Sequence, residues 1–234
     1  MDHLVPGRVA ALVPAAGRGE RLGGGRAKAL QPIGGIPMLV HAVRSLTAAA
    51  SVGPVVVAAP LADLDEVRGL LDAGVTVVPG GATRAESVRC ALAALPDDVD
   101  VVVVHDAARP FVPPSVVEAV VAAVRAGNDA VVPVLAVTDA IKRVAADGRV
   151  VETLDRSGLY ATQTPQGFRR DVLAAAHAQD VAGDATDDAG LVERLGVPVW
   201  TVPGADAAFK VTWPDDLRRA EALLADLLLA GRDA

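Results

Sequence analysis

Short runs of valine and alanine, each followed by a segment of helical length, recur along this chain, and that alternation confines it to a layered α/β fold. The apolar runs are residues 9–14, 55–59, 75–79, 100–104 and 130–134. Between them lie helix-like segments at 37–50, 64–71, 84–95 and 114–126, the first with Pro37 suited to an opening turn. Continuous apolar runs without polar alternation suit strands buried on both faces, so a mainly parallel sheet covered by helices is expected. The 234 residues fit one domain, 1–234, with a modest insertion. The chain is 52% hydrophobic and only 3% aromatic, so alanine and valine must fill the core.

The alternation breaks once. Residues 141–154 alternate apolar and charged side chains around Asp147-Gly148, a hairpin signal. A hairpin inserted in an α/β domain projects from it, as an arm over about 137–157. Helices resume at 169–179 and 187–195, a strand is expected at 197–202, and a last helix at 214–229.

Charge excludes some functions. The net charge of −7 argues against a nucleic-acid groove but leaves room for a few cations gathered in one site. Cys90 is the only cysteine, so no internal disulfide can form and a reducing cytoplasm is expected. The N-terminus lacks the basic-then-apolar pattern of a signal peptide. The uncharged stretch 45–62 is interrupted by Pro54 and Pro60, which suits a helix followed by a strand rather than a membrane span.

The segment Pro14-Ala15-Ala16-Gly17-Arg18-Gly19-Glu20-Arg21-Leu22 follows the first strand, where open α/β sheets bind ligands. Small residues let backbone N–H groups approach phosphates, and Arg18, Arg21, Arg26 and Lys28 supply four cations. A dinucleotide fingerprint fails here, because Leu22 stands where its third glycine is needed and the second strand ends without an acid. A P-loop fails too, because Lys28 lies between Ala27 and Ala29.

Three later segments can add to a site. Gly80-Gly81-Ala82-Thr83-Arg84-Ala85-Glu86-Ser87 reads either as a close-approach loop with Ser87 facing a base, or as a helix start capped by Thr83 and Glu86. His105-Asp106-Ala107-Ala108-Arg109-Pro110 ends a central strand. There Asp106 can hold a metal or a ribose hydroxyl, or simply pair with Arg109, while His105 reads as a partly buried packing residue. Lys210, between Phe209 and Val211, must snorkel or meet an anion. Thr186-Asp187-Asp188 reads first as a capping segment and second as a source of a carboxylate for the site.

These segments, with Thr164-Pro165-Gln166-Gly167-Phe168 and Lys210-Val211-Thr212, occur in an order that resembles the 2-C-methyl-D-erythritol 4-phosphate cytidylyltransferases of the non-mevalonate isoprenoid pathway, from about residue 9 to about 228. Ribitol-5-phosphate cytidylyltransferases share much of the pattern. The resemblance implies a Rossmann-like nucleotidyltransferase fold. It implies CTP along Pro14, Ala15, Ala16, Gly17 and Gly19, with the base near Gly80, Gly81 and Ser87, and Asp106 near the nucleotide. It places Arg21, Lys28 and Lys210 around the α-phosphate as catalytic cations. It places Asp106, Arg109, Arg156 and Thr164 at a polyol phosphate acceptor. Mg²⁺ is expected mainly on the triphosphate, with Asp106 as the carboxylate within reach, and a homodimer is expected through the hairpin arm. A catalytically inactive nucleotide-binding regulator is the reading from another class. The chain departs from the family at Ala27 and Ala29, which flank the loop lysine, and at Ala140, where a hydroxyl is usual. It ends soon after the last helix, so no fused cyclodiphosphate synthase domain is expected.

Overall fold

A computed structural model describes residues 7–17, 27–180 and 186–230. The first half runs β1 (Arg8–Pro14), β2 (Pro32–Ile33), β3 (Ile36–Pro37), α1 (Met38–Thr47), β4 (Val52–Ala59), α2 (Leu64–Leu70), β5 (Val75–Pro79), α3 (Arg84–Ala93) and β6 (Val99–Val104). The second half runs α4 (Pro114–Arg125), β7 (Ala130–Ala136), β8 (Lys142–Val144), β9 (Val150–Thr153), β10 (Tyr160–Thr162), β11 (Gln166–Arg169), α5 (Arg170–Gln179), α6 (Asp188–Arg194), β12 (Val199–Pro203) and α7 (Pro214–Ala230).

The main sheet has the order β10-β7-β11-β6-β1-β4-β5, and β12 pairs with β7. The ladders β6–β1, β1–β4, β4–β5 and β12–β7 are parallel. Alternate residues of each buried strand enter opposite layers. Val9, Ala11 and Val13 of β1 pack with α1 and α4 through Leu39, Val43 and Val117, whereas Ala10 and Leu12 pack with α3 and α5 through Val88 and Leu173. Both faces are therefore covered, which is why the strands read as unbroken apolar runs. A smaller cluster of Ile33, Met38, Phe111, Val211 and Ala220 seats α7 beside the carboxyl edge of the sheet.

β11 differs from the expected pattern. It runs antiparallel between β6 and β7, so those two parallel strands are not neighbours. Its four residues, Gln-Gly-Phe-Arg, have no readable period, and the sequence placed Arg169 in the following helix. Tertiary insertion makes it a strand: Phe168 is fully buried, and Gly167 lies so close to Val120 of α4 that a Cβ would collide with it. Helix α5 starts one residue later, at Arg170. Tyr160–Thr162 is likewise a strand, antiparallel to β7, that periodicity did not signal. Pro37 pairs with Pro32 in the β2–β3 hairpin, so α1 begins at Met38 rather than at Pro37. The turn of that hairpin uses Gly34 and Gly35 at φ 59° and 76°, where a side chain would be strained.

The expected arm is present as the antiparallel pair β8–β9, with Gly148 at φ 86° in its turn and every strand residue exposed. No helix among the described residues is long and apolar enough to cross a membrane.

Candidate active site

The loops after β1, β5 and β6 meet at the carboxyl edge of the sheet because their strands are neighbours or share β1 and β4. Extended ladder bonds hold them there: Ala15 donates to Ala58, Gly80 to Ala59 and His105 to Leu12, each N–H···O at 2.8 Å. The described ends of the first loop are tied by the Lys28 N–H donating to the Gly17 carbonyl at 3.2 Å. Arg18, Gly19, Arg21 and Arg26 lie outside the described residues. The loop after β5 touches the first loop, since a Cβ on Gly80 would lie 2.6 Å from the Ala16 Cβ and 3.0 Å from the Ser87 Oγ. A Cβ on Gly81 would collide with Glu86. Both glycines thus answer a packing need as well as any ligand. The capping box of Thr83 and Glu86 forms as expected. It coexists with a site reading, because Ser87 turns inward. Its hydroxyl donates to the Thr83 carbonyl at 2.9 Å and accepts from the Gly81 N–H at 3.2 Å.

Asp106 is the centre of the charge arrangement. One carboxylate oxygen accepts from Arg84 Nε at 3.1 Å, and the other lies 2.7 Å from Lys210 Nζ. Burial alone would raise the pKa of Asp106, but Arg84 and then Lys210 and Arg109 outweigh it and hold the carboxyl well below the usual carboxylate range. The second guanidinium branch of Arg84 pairs with Asp188 at 2.7 Å, and Asp188 accepts from His177 Nε2 at 2.8 Å. Burial works against the Arg84 charge, yet Asp188 and Asp106 together push its pKa up. Lys210 reaches Asp106 because its neighbour Val211 is fully buried and donates its N–H to Ala108 at 2.8 Å. Just beyond it, Asp216 accepts from the N–H groups of Thr212 and Trp213, both at 2.8 Å, and fixes the start of α7.

The wedge from β10 to β11 braces this turn. The Thr164 hydroxyl accepts from the Asp106 N–H at 3.1 Å and lies 3.1 Å from His105 Nδ1. His105 Nε2 meets the Arg109 carbonyl at 3.0 Å, which can only accept, so Nε2 carries the proton and Thr164 donates to Nδ1. His105 is fully buried rather than partly so, and burial pushes its pKa down to about 4. Gln163 holds the loop after β12 through both the N–H and the carbonyl of Ala205. Gln166 donates to Asp187 at 2.6 Å and accepts from Ala189 at 3.1 Å, fixing the start of α6.

Arg109 does not take the direct pairing with Asp106 that its spacing allowed. It donates to the carbonyls of Ala208 at 2.7 Å and Thr162 at 3.3 Å, and burial lowers its pKa. Arg156 is exposed at the base of the arm, and among the described residues its side chain pairs with none. Asp187 caps α6 by accepting from Gly190 at 3.0 Å, as the capping reading required, but Asp188 is buried and joined to the cluster. Arg84 and His177 are the members that the sequence reading missed, and Asp188 is one for which it put capping ahead of a carboxylate role in the site. One signal was available: Arg84 opens α3, where the helix dipole disfavours a cation unless an anion offsets it. An open cavity of about 690 Å³ lies at the other end of the sheet, beside Asp97, Asp100 and Arg170, away from all of these groups. Its cations are already committed, Arg125 to Asp100, Arg169 to Asp171 and Arg170 to the Pro96 carbonyl.

Positive charge drawn around one ionised carboxylate, on the ligand edge of an α/β sheet, suits polyphosphate chemistry, and the class that this fold and site define is the nucleotidyltransferases. The family model IspD, 2-C-methyl-D-erythritol 4-phosphate cytidylyltransferase, matches residues 9–226. A 2-C-methyl-D-erythritol 4-phosphate cytidylyltransferase of Frankia casuarinae is 63% identical over 93% of this chain and 82% of its own length. The crystal structure of a Thermus thermophilus protein of that name superposes with a TM-score of 0.76 at 37% identity, covering 92% of this chain and 98% of that one. A 4-diphosphocytidyl-2C-methyl-D-erythritol synthase from Anaerococcus prevotii superposes with a TM-score of 0.81 at 26% identity, covering 94% and 97%. The chain belongs to the 2-C-methyl-D-erythritol 4-phosphate cytidylyltransferase family.

Proposed function

We propose that this protein transfers the cytidylyl group of CTP to 2-C-methyl-D-erythritol 4-phosphate, releasing pyrophosphate and forming 4-diphosphocytidyl-2-C-methyl-D-erythritol, within isoprenoid precursor synthesis in the cytoplasm. The observation that carries this reading is the Lys210–Asp106–Arg84 cluster on the carboxyl edge of β6, in a chain of this family over most of its length.

The reaction joins an acceptor phosphate oxygen to the α-phosphorus of CTP and breaks the bond to the β-phosphate, which leaves as pyrophosphate. A phosphate monoester is already anionic at neutral pH, so no general base is needed. The difficulty is bringing two anions together, and the protein's contribution is positioning and charge. Pro14, Ala15, Ala16, Gly17 and Gly19 would receive the triphosphate. Arg21, Lys28 and Lys210 would meet charge on the α-phosphate. Gly80, Gly81 and Ser87 would receive the base. The Ser87 proton is committed to Thr83, so its oxygen is left as an acceptor, which matches the N4 amino group of cytosine and mismatches O4 of uracil.

Asp106, Arg109, Thr164 and Arg156 would serve the acceptor. Thr164 would do so mainly by holding the Asp106 turn, since its proton is committed to His105. Among the described residues no three acidic, His or Cys side chains converge on one point. Asp106 is a single carboxylate beside the phosphate site, and that suits a Mg²⁺ carried mainly by the triphosphate. Such an ion, when bound, would neutralise phosphate charge. The exposed arm, with Val144, Val150 and Val151 more than half exposed, suits burial against a second copy in a homodimer. The test is pyrophosphate release from CTP with 2-C-methyl-D-erythritol 4-phosphate, with ribitol 5-phosphate and with neither, each with and without a chelator. Turnover with the first acceptor alone, abolished by chelation, is expected. Turnover with ribitol 5-phosphate alone would transfer the reading to that acceptor, and none with either would leave a binding protein.

A further inference from the structure

We propose that Arg84 is a positioning residue for nucleotidyl transfer: anchored by Asp188, it fixes Asp106 in place so that Lys210 can pass from that carboxylate to phosphate. The inference rests on the functional reading above, and it deepens that reading by naming what holds its central carboxylate.

The argument begins with exposure. The Lys210 side chain is 43% exposed, Asp106 is 11% exposed, and Asp188 and His177 are 1% and 2% exposed. The chain of charges therefore runs from a half-exposed cation at the surface to a buried pair in the core. A lysine that already holds an anion can serve phosphate only if that anion stays behind when it leaves. Asp106 has three restraints that do not involve Lys210: the Arg84 contact on its other oxygen, the Thr164 hydroxyl on its N–H, and the nearby charge of Arg109.

Arg84 needs a restraint of its own. Its long side chain lies beside a site for polyanions and would otherwise compete for them. Asp188 supplies that restraint at 2.7 Å and is itself held by His177 at 2.8 Å. The second observation is the placement of Arg84. It is the first residue of α3, where the helix dipole opposes a cation, and its two carboxylates offset that cost. Four separate segments converge to make the arrangement: α5 brings His177, α6 Asp188, α3 Arg84, and the turn after β6 Asp106.

A residue that acts through Lys210 should have little to do once Lys210 is gone. Arg84→Gln should lower kcat at least about tenfold while KM for CTP stays within about threefold, and in a Lys210→Ala background it should cost less than about twofold. Arg84→Lys should recover part of the loss, because the cation is restored without the forked geometry. Asp188→Asn keeps the shape of the core and serves if Arg84→Gln fails to fold; it should slow the parent and leave the Lys210→Ala protein nearly unchanged. Equal losses with and without Lys210, or parental turnover in folded Arg84→Gln or Asp188→Asn, would overturn the relay. If the parent itself turns over no CTP, the functional reading fails separately. The same cycle is then read by calorimetric binding of pyrophosphate, where weakening by Arg84→Gln only when Lys210 is present supports the relay and equal weakening in both backgrounds refutes it.

Discussion

The Lys210 ammonium lies 2.7 Å from the Asp106 carboxylate, so the cation proposed to meet phosphate already has an anion in the free protein. A bound triphosphate carries several negative charges and can draw Lys210 away, while the carboxylate stays on Arg84. The lysine would then be used most fully as charge builds on the α-phosphate.

Lys210→Ala should accordingly lower kcat by about 100-fold or more with a smaller change in KM for CTP, the pattern of an interaction strengthened in the transition state. Lys28→Ala should behave in the same way. Steady-state pyrophosphate release checks both, and turnover within about threefold of the parent would remove either lysine from the role.

Ser87→Ala should erode the choice between nucleotides. The wild-type oxygen can accept from cytosine N4 because its proton is spent on Thr83. Without it the preference for CTP over UTP should fall by about tenfold in kcat/KM, the order expected for one hydrogen bond in a buried site. An unchanged ratio would show that other groups read the base.

Acid should destabilise the protein through His105. His105 has its pKa pushed from 6.5 to about 4 by burial. The unfolded chain takes up a proton near pH 6.5 and the folded one does not, so stability is full above that pH and falls as pH drops toward about 4. The loss across that window should be about 3 kcal/mol. Asp106, held below the usual carboxylate range, adds its own loss only at lower pH. Denaturant unfolding at pH 7, 5.5 and 4.5 measures the slope. His105→Asn should lower stability at pH 7 and flatten the curve, and an equally steep curve in that variant would assign the slope elsewhere.

Arg156 is predicted to act across a dimer. If Lys28→Ala and Arg156→Ala are each nearly inactive, a mixed dimer carries one site with neither defect and one with both. Verified heterodimers of two differently tagged chains should then regain close to half the parental activity. Heterodimers that stay inactive would place Arg156 in its own subunit's site or outside any site.

The parallel core was legible because its strands are buried on both faces and say so in unbroken valine and alanine, as in residues 55–59 of β4 and 101–104 of β6. The arm was legible through Asp147-Gly148 and its alternating flanks. β11 was not, since four residues carry no period and only the gap between β6 and β7 makes them a strand. Asp106 and Lys210 were legible as members of the candidate cluster, Asp106 as an acid at the carboxyl end of a central strand and Lys210 as a cation between Phe209 and Val211. Asp188 was legible only as the second reading of its segment: Asp187 fulfils the capping reading, and nothing local distinguishes the acid that caps from the acid that turns inward to Arg84. The pairing of His177 with Asp188 joins two helices and leaves no mark on either one.

The antiparallel wedge divides the molecule into two workshops. The loops proposed for the nucleotide follow β1, β5 and β6, on one side of β11. β7, β10, β12 and the arm that follows β7 lie on the other. Among the described strands no ladder joins the two sides except through β11. The proposed chemistry straddles that seam, because Asp106 and Arg109 follow β6 on the near side while Lys210 follows β12 on the far side, so a change of polyol can be absorbed around Arg156 and the arm only while the pairing of Asp106 with Lys210 across the wedge is kept.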